Sequence, residues 1–169
     1  CRQGRHRTPG RPAGGVPDEP GTQHVTELAF HFGAPDKLAY ASRLLRKAAS
    51  SGAKVVAVAD ARSVAQLDAD LWAVSPTDFV THCTGSADKA IQSRSSVVLV
   101  TEVRQATAAC DVLVNLGDAM PEGFDRFKRL IEVVSTDEAD RDRARKRWKL
   151  YTAQGYAITR HDLALKRAD

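Results

Sequence analysis

The sequence lacks the signatures that most often mark an enzyme on a small α/β scaffold. It contains no G-x-x-x-x-G-K-[ST] run and no G-x-G-x-x-G run, so no glycine-rich loop offers a row of backbone N–H groups to a phosphate chain. No G-x-S-x-G elbow is present to present a serine nucleophile. No stretch approaches the roughly 18 apolar residues that a membrane-spanning helix requires. The N-terminus carries arginines but no apolar core of a secretory signal. Cysteine is scarce: Cys1, Cys83 and Cys110 make an odd set that cannot all pair within one chain. These absences point to a reducing compartment, the cytoplasm.

What is present is an ordinary globular composition, with 43% hydrophobic and 27% charged residues over 169 positions. That length suits one domain with a tail. The net charge of +4 is unevenly distributed. Four arginines against Asp18 and Glu19 give residues 1–24 a charge of +2. Nine bases against twelve acids make 25–125 acidic, at −3, and twelve against seven make 126–169 basic, at +5. The first 24 residues are rich in Gly, Pro and Arg, with Val16 their one aliphatic side chain larger than Ala. They cannot bury enough apolar area to offset the entropy of ordering and read as a disordered leader or remnant, leaving 25–169 as the folded domain.

From Val25 the pattern is regular. Thr26–Phe32 reads as a strand, and Pro35-Asp36 opens a helix whose stripe is Leu38, Ala41, Leu45 and Ala48, ended by Gly52. Lys54–Ala59, Ser96–Thr101, Asp111–Leu116 and Ile131–Val134 are β-branched runs of strand length. Ser63 is placed to cap a second helix with Val64, Leu67 and Leu71 on one face, broken at Ser75-Pro76. Phe124, Phe127 and Leu130 fit one face of a short helix. Asp137–Ala153 is the longest helix, acidic in its first turn and basic later, and Tyr156–Thr159 reads as a short terminal strand. Alternating strands and helices predict an α/β domain, Rossmann-like in layout, with a mostly parallel sheet covered on both faces.

Candidate catalytic residues are few. His82 and Cys83 are neighbours on a short run, so on a strand they point to opposite faces. Cys110 reads as a small boundary residue, and Asp68 and Asp70, two apart on a helix, do not share a face. His31, His82, Cys83 and His161 have no zinc-type spacing, and neither a metal nor a cofactor is expected. The chemistry concentrates on the long helix. On a period of 3.6 residues, Arg141, Arg145, Trp148 and Thr152 fall within an arc of about 60°, with Lys149 at its edge. Ala139, Leu150 and Ala153 occupy another face, which is expected to pack on the sheet. Two arginines flanking an indole make a binding surface for a phosphate chain or an acidic peptide.

Two motifs are distinctive: D-x-x-L-W-x-x-S-P-x-x-F-V-x-H over Asp68–His82 and A-R-x-R-W-K-x-Y-x-x-x-G-Y over Ala144–Tyr156. With the opening FHFGAPDKLAY and the run DVLVNLG, they make the chain from about Thr26 to Leu163 resemble the chi subunit of the bacterial DNA polymerase III holoenzyme. The resemblance implies a non-catalytic accessory of the clamp loader. It implies binding to the acidic C-terminal tail of single-stranded DNA-binding protein, a link to the clamp loader through the small psi subunit where one exists, and contact with DNA only at one remove. Matched residue by residue, it implies that Arg145 takes the tail's terminal carboxylate and that Arg141 and Lys149 attract its aspartates. Trp72, Phe79, Val134 and Trp148 would wall the apolar pocket. The leader and the linker Glu102–Cys110 receive nothing from the resemblance. Two other readings stay open on the residues alone: direct binding of single-stranded nucleic acid by the basic C-terminal helix, and a small-molecule enzyme on a degenerate nucleotide fold.

Overall fold

The computed structural model describes residues 26–73, 80–106 and 111–163. The expected leader, the linker cysteine Cys110 and the candidate wall residue Phe79 lie outside them. Seven strands form one sheet: β1 (Glu27–Ala34), β2 (Val55–Val58), β3 (His82–Thr84), β4 (Val97–Val100), β5 (Val112–Asn115), β6 (Arg129–Ser135) and β7 (Ile158–Asp162). Their order is β3-β4-β2-β5-β6-β1-β7 and every neighbouring pair is parallel. Four helices connect them: α1 (Lys37–Ser50), α2 (Ala61–Trp72), α3 (Lys89–Arg94) and α4 (Glu138–Ala153).

The strand sequences explain the layers. In β2 all four residues, VVAV, are buried, as in a strand covered on both faces. Val55 and Ala57 join Val97, Leu99, Ile131 and Val133 under Ala41 and Leu45 of α1 and Val64, Leu67 and Leu71 of α2. Val56 and Val58 point the other way and join Leu28, Phe30, Leu113, Leu130 and Val134 under Ala144 and Tyr151 of α4. The α/β class and the parallel sheet follow the sequence reading, with helices on both faces.

Several local expectations change. Asp60, not Ser63, caps α2: its carboxylate accepts the Ser63 backbone N–H at 2.8 Å and the Ser63 hydroxyl at 3.0 Å. A carboxylate at the cap draws the free N–H groups of the first turn more strongly than a hydroxyl does. Phe124–Arg126 is a single 3₁₀ turn, entered at Gly123 with φ of 80°, and Leu130 already belongs to β6. The last strand runs from Ile158 to Asp162 rather than from Tyr156 to Thr159, because its register on β1 begins at Leu28↔Ile158. Helix α3 had no counterpart in the hydrophobic pattern.

The largest correction concerns α4. Ala139, Leu150 and Ala153 face solvent, and Leu150 is 49% exposed. The buried residues are Asp140, Ala144, Arg147 and Tyr151. The cause lies on the sheet. Glu132 of β6 shares the face of Leu130 and Val134 and is fully buried. Its carboxylate accepts from Arg147 Nε at 3.2 Å, the Tyr151 hydroxyl at 2.6 Å and Asn115 Nδ2 at 2.9 Å. Arg147 Nη1 also donates to the Asp118 carbonyl at 2.8 Å. Burial pushes the Glu132 carboxyl above the usual range, against the opposing pull of Arg147 and the hydrogen bonds of Tyr151 and Asn115.

Removing one partner of a buried pair strands the other, so Arg147→Met should cost about 3–5 kcal/mol in urea unfolding. With Arg147 gone, nothing offsets the burial of Glu132 as strongly, and the folded state holds the Glu132 proton more tightly than the unfolded chain does. Stability then falls as pH rises, so the deficit of the variant should shrink between about pH 7 and about pH 4, where the carboxyl can be neutral. A deficit independent of pH would show that the Glu132 charge is not its source.

Candidate functional site

A cleft opens at the β1–β7 edge of the sheet, beside α4. Its volume is about 640 Å³, and it is lined by Phe32, Gly33, Thr136, Arg141, Arg145, Trp148, Lys149, Arg160 and Asp162. The end of β1 shapes one side. The register of β1 against β6 shifts between His31 and Ala34, and Gly33 within that irregularity has φ of 83°, a left-handed value that suits glycine. Gly33 therefore suits the irregular end of β1, which borders the cleft.

Trp148 is half-buried and forms the apolar side. Its ring lies 5.0 Å from Phe30 and 6.1 Å from Phe32, while Phe30 and Phe32 stack at 5.6 Å. The guanidinium of Arg160 on β7 sits 5.1 Å from the centre of the Phe32 ring. Around these rings stand four cations and the carboxylate of Asp162. Arg145 Nη1 contacts Asp142 at 2.6 Å and Glu138 at 3.8 Å, and Arg141 contacts Glu138 at 3.8 Å. All of these side chains are about half-exposed or more. Such pairs contribute little and exchange readily for another carboxylate. Thr152 turns its hydroxyl back to the Trp148 carbonyl at 2.9 Å and takes no part in the lining.

The start of α4 is pinned from two sides. Asp137 caps it by accepting the Asp140 N–H at 3.2 Å. Asp140 in turn accepts the Ser135 N–H at 2.8 Å and the Ser135 hydroxyl at 3.0 Å, and pairs with Lys37 of α1 at 3.2 Å. Burial acts to raise the Asp140 carboxyl, but the Ser135 N–H, the Lys37 ammonium and the Ser135 hydroxyl together outweigh it and hold it below the usual range.

Of the seven residues assigned to the site from sequence, the cleft gathers Arg141, Arg145, Trp148 and Lys149. Val134 is fully buried beneath α4, in the same core as Trp148, and does not line the cleft. Trp72 stands at the end of α2 by β3, at the opposite edge of the sheet, where its ring meets His82 at 4.8 Å. Phe79 lies outside the described residues. Sequence reasoning missed Phe32, Gly33, Thr136, Arg160 and Asp162. Alternation along β1 and β7 would have supplied Phe32, Arg160 and Asp162 once the two strands were known to pair. Among the described residues no three His, Cys, Asp or Glu side chains cluster as a metal site would require.

A second cavity, of about 550 Å³, lies at the carboxyl ends of β2, β4 and β5, the crevice where open α/β sheets commonly bind nucleotides. Asp60, Glu102, Asp118 and Glu122 line it against Arg104 alone, a charge balance that repels phosphate. No helix among the described residues is long and apolar enough to cross a membrane.

Residues 25–159 match a family described as DNA polymerase III chi subunit, HolC. The chain belongs to the DNA polymerase III chi subunit family. It is 30% identical to the DNA polymerase III subunit chi of Pseudomonas aeruginosa over 128 residues, 75% of this chain and 87% of that one. It is 27% identical to the Haemophilus influenzae subunit over 110 residues, 64% of this chain and 75% of that one. The chi-family chain also shares its fold with the C-terminal domain of the DEAD-box protein Dbp5. One such structure has a TM-score of 0.53 at 14% identity, covering 83% of this chain and 91% of that one. Another, from S. cerevisiae and bound to Gle1 and IP6, has a TM-score of 0.53 and covers 82% and 90%. Membership in the chi family places the chain in DNA replication, as an accessory subunit of the DNA polymerase III holoenzyme.

The anchoring of α4 in this chi-family chain can be checked through Asp140. Because its folded pKa lies below the unfolded value, its contribution is complete above about pH 4 and disappears as pH falls below that. Asp140→Asn should lose about 1–3 kcal/mol at neutral pH and converge on the parent protein in acid unfolding curves toward about pH 2. A constant offset across that range would assign the loss to packing and not to the charge.

Proposed function

We propose that this chain is a non-catalytic replisome accessory of the cytoplasm that binds the acidic C-terminal tail of single-stranded DNA-binding protein and connects it, through a psi-like subunit, to the clamp loader of DNA polymerase III. The observation that carries the reading is the cleft itself: Arg141, Arg145, Lys149 and Arg160 surround an apolar seat made by Phe32 and Trp148. A tail of aspartates that ends in an apolar residue with a free carboxylate offers the complementary pattern. Exposed guanidinium groups whose present partners contribute little suit a ligand that arrives by electrostatic attraction.

A linking protein needs two surfaces. The cleft occupies the β7 edge, and Trp72, 61% exposed, stands at the other edge of the sheet. An exposed indole beside a half-buried strand is the kind of anchor a second protein partner takes.

A second reading, direct binding of single-stranded DNA by α4, has the arginines and Trp148 in its favour. Against it, Glu138 and Asp142 alternate with those arginines on the same helix and Asp162 lines the cleft. A phosphate backbone would meet these acids all along its track, whereas a short peptide need meet only the cations.

Titration with a short acidic peptide ending in Pro-Phe tests the proposal. The parent protein should bind it, with affinity falling as salt rises. Arg145→Glu should weaken binding by more than about a hundredfold. Unchanged affinity in that variant would sink the tail reading. Binding of single-stranded DNA at low salt without binding of the peptide would favour the second one.

A further inference from the structure

The terminal carboxylate of a bound peptide needs a reader, and the cleft contains two kinds of arginine. Arg141 and Arg145 stand on α4 and are already in contact with Glu138 and Asp142. Arg160 comes from the opposite wall. Its strand, β7, runs parallel to β1 with Phe30↔Arg160 and Phe32↔Asp162 in register, so the side chain reaches across the end of β1. Its guanidinium lies over the Phe32 ring, and no carboxylate among the described residues pairs with it. The aromatic contact limits the rotamers of a long side chain without consuming its N–H donors. A carboxylate arriving there gains a charge-assisted pair without displacing another.

Position argues the same way. The last residue of a peptide carries its side chain and its α-carboxylate on one carbon atom. The group that reads the carboxylate must therefore lie beside the seat of the side chain. That seat is formed by Phe32 and Trp148, and Arg160 rests on Phe32 itself. The cations of α4, Arg141, Arg145 and Lys149, line the same cleft and are left for the side-chain carboxylates. We propose that Arg160 binds the terminal α-carboxylate of the acidic peptide, and that Arg141, Arg145 and Lys149 serve its aspartates. This moves the role assigned to Arg145 from sequence across the cleft, and it rests on the reading of the cleft as a peptide-tail site.

The test is a double-mutant cycle between the protein and the peptide terminus. The full chain, Arg160→Gln and Arg145→Gln are each titrated by fluorescence anisotropy with one acidic peptide ending in Pro-Phe, made with a free carboxylate and as the C-terminal amide. In the parent protein amidation should weaken binding about tenfold, the loss of one charge-assisted contact. In Arg160→Gln the free acid should bind about tenfold more weakly, and amidation should then change affinity by less than about twofold. Arg145→Gln should weaken both peptides and keep the tenfold ratio. Arg160 is exposed, so its replacement should leave the melting temperature unchanged. A full acid-to-amide ratio in Arg160→Gln, or a ratio that collapses in Arg145→Gln instead, overturns the assignment while leaving the tail reading intact. Failure of the parent protein to bind either peptide removes both.

Discussion

The buried contact between Glu132 and Arg147 decides how α4 lies on the sheet. That helix is rich in charge, and the side chains it buries are Asp140, Ala144, Arg147 and Tyr151. Ala144, Tyr151 and the half-buried Trp148 supply its apolar contact with the sheet. Leu150, Ala139 and Ala153 offer a second apolar face, and hydrophobic burial alone does not dictate which side chains meet the centre of the sheet. A carboxylate fixed in the middle of the sheet removes the ambiguity. It must be paired, and Arg147 and Tyr151, one turn apart, reach it together only when their face is down. Asn115 completes the cluster from β5 and is itself held by the Ala119 carbonyl and the Gly117 N–H. A pair of this kind adds little net stability compared with a well-packed apolar core, but it specifies one orientation. With Arg147 inward, Arg141, Arg145 and Trp148 are rotated to the cleft.

The carboxyl side of the sheet carries two clefts, and they differ in charge. Open parallel sheets offer ligands the crevice at the carboxyl ends of their strands, and here that crevice is acidic. The cationic cleft lies farther along the same side, at the carboxyl ends of β1, β6 and β7, where the register of β1 shifts beside Gly33 and β7 adds a last strand at the sheet edge. Likeness to the Dbp5 domain therefore speaks for the arrangement of strands and helices and says nothing of the site. The chemistry follows from which residues stand at one edge of a common scaffold.

Much of the fold was legible in the sequence because buried parallel strands require runs such as VVAV and VVLV, and α1 and α2 carry clean apolar stripes. The site was legible in part. A helical wheel found Arg141, Arg145, Trp148 and Lys149 because they share one helix. It misjudged the buried face of α4, since a charged face is read as solvated unless its partner is known, and the partner, Glu132, is in a different strand. Arg160 was missed because the last strand was drawn two residues early and because its place beside Phe32 depends on pairing across more than a hundred residues. Trp72 was grouped with Trp148 by motif, but α2 and α4 lie at opposite edges of the sheet and on opposite faces.

The acids interleaved with the arginines of α4 have a consequence for any acidic partner. A helix bearing Arg141, Arg143, Arg145, Lys146, Arg147 and Lys149 without them would repel itself and attract polyanions of every kind. Glu138 and Asp142 hold Arg141 and Arg145 in contact, Asp118 holds Arg143, and Glu132 takes Arg147 out of solvent altogether. Among the described residues, Lys149 of α4 and Arg160 of β7 line the cleft with no carboxylate partner. A ligand with carboxylates at the right separation gains both at once and exchanges the weak pairs of Arg141 and Arg145. A ligand of uniform negative charge must instead displace the same acids along its whole length. On the proposed reading, selectivity for a short acidic terminus over a phosphate backbone would arise from the carboxylates the helix retains as much as from the cations it presents.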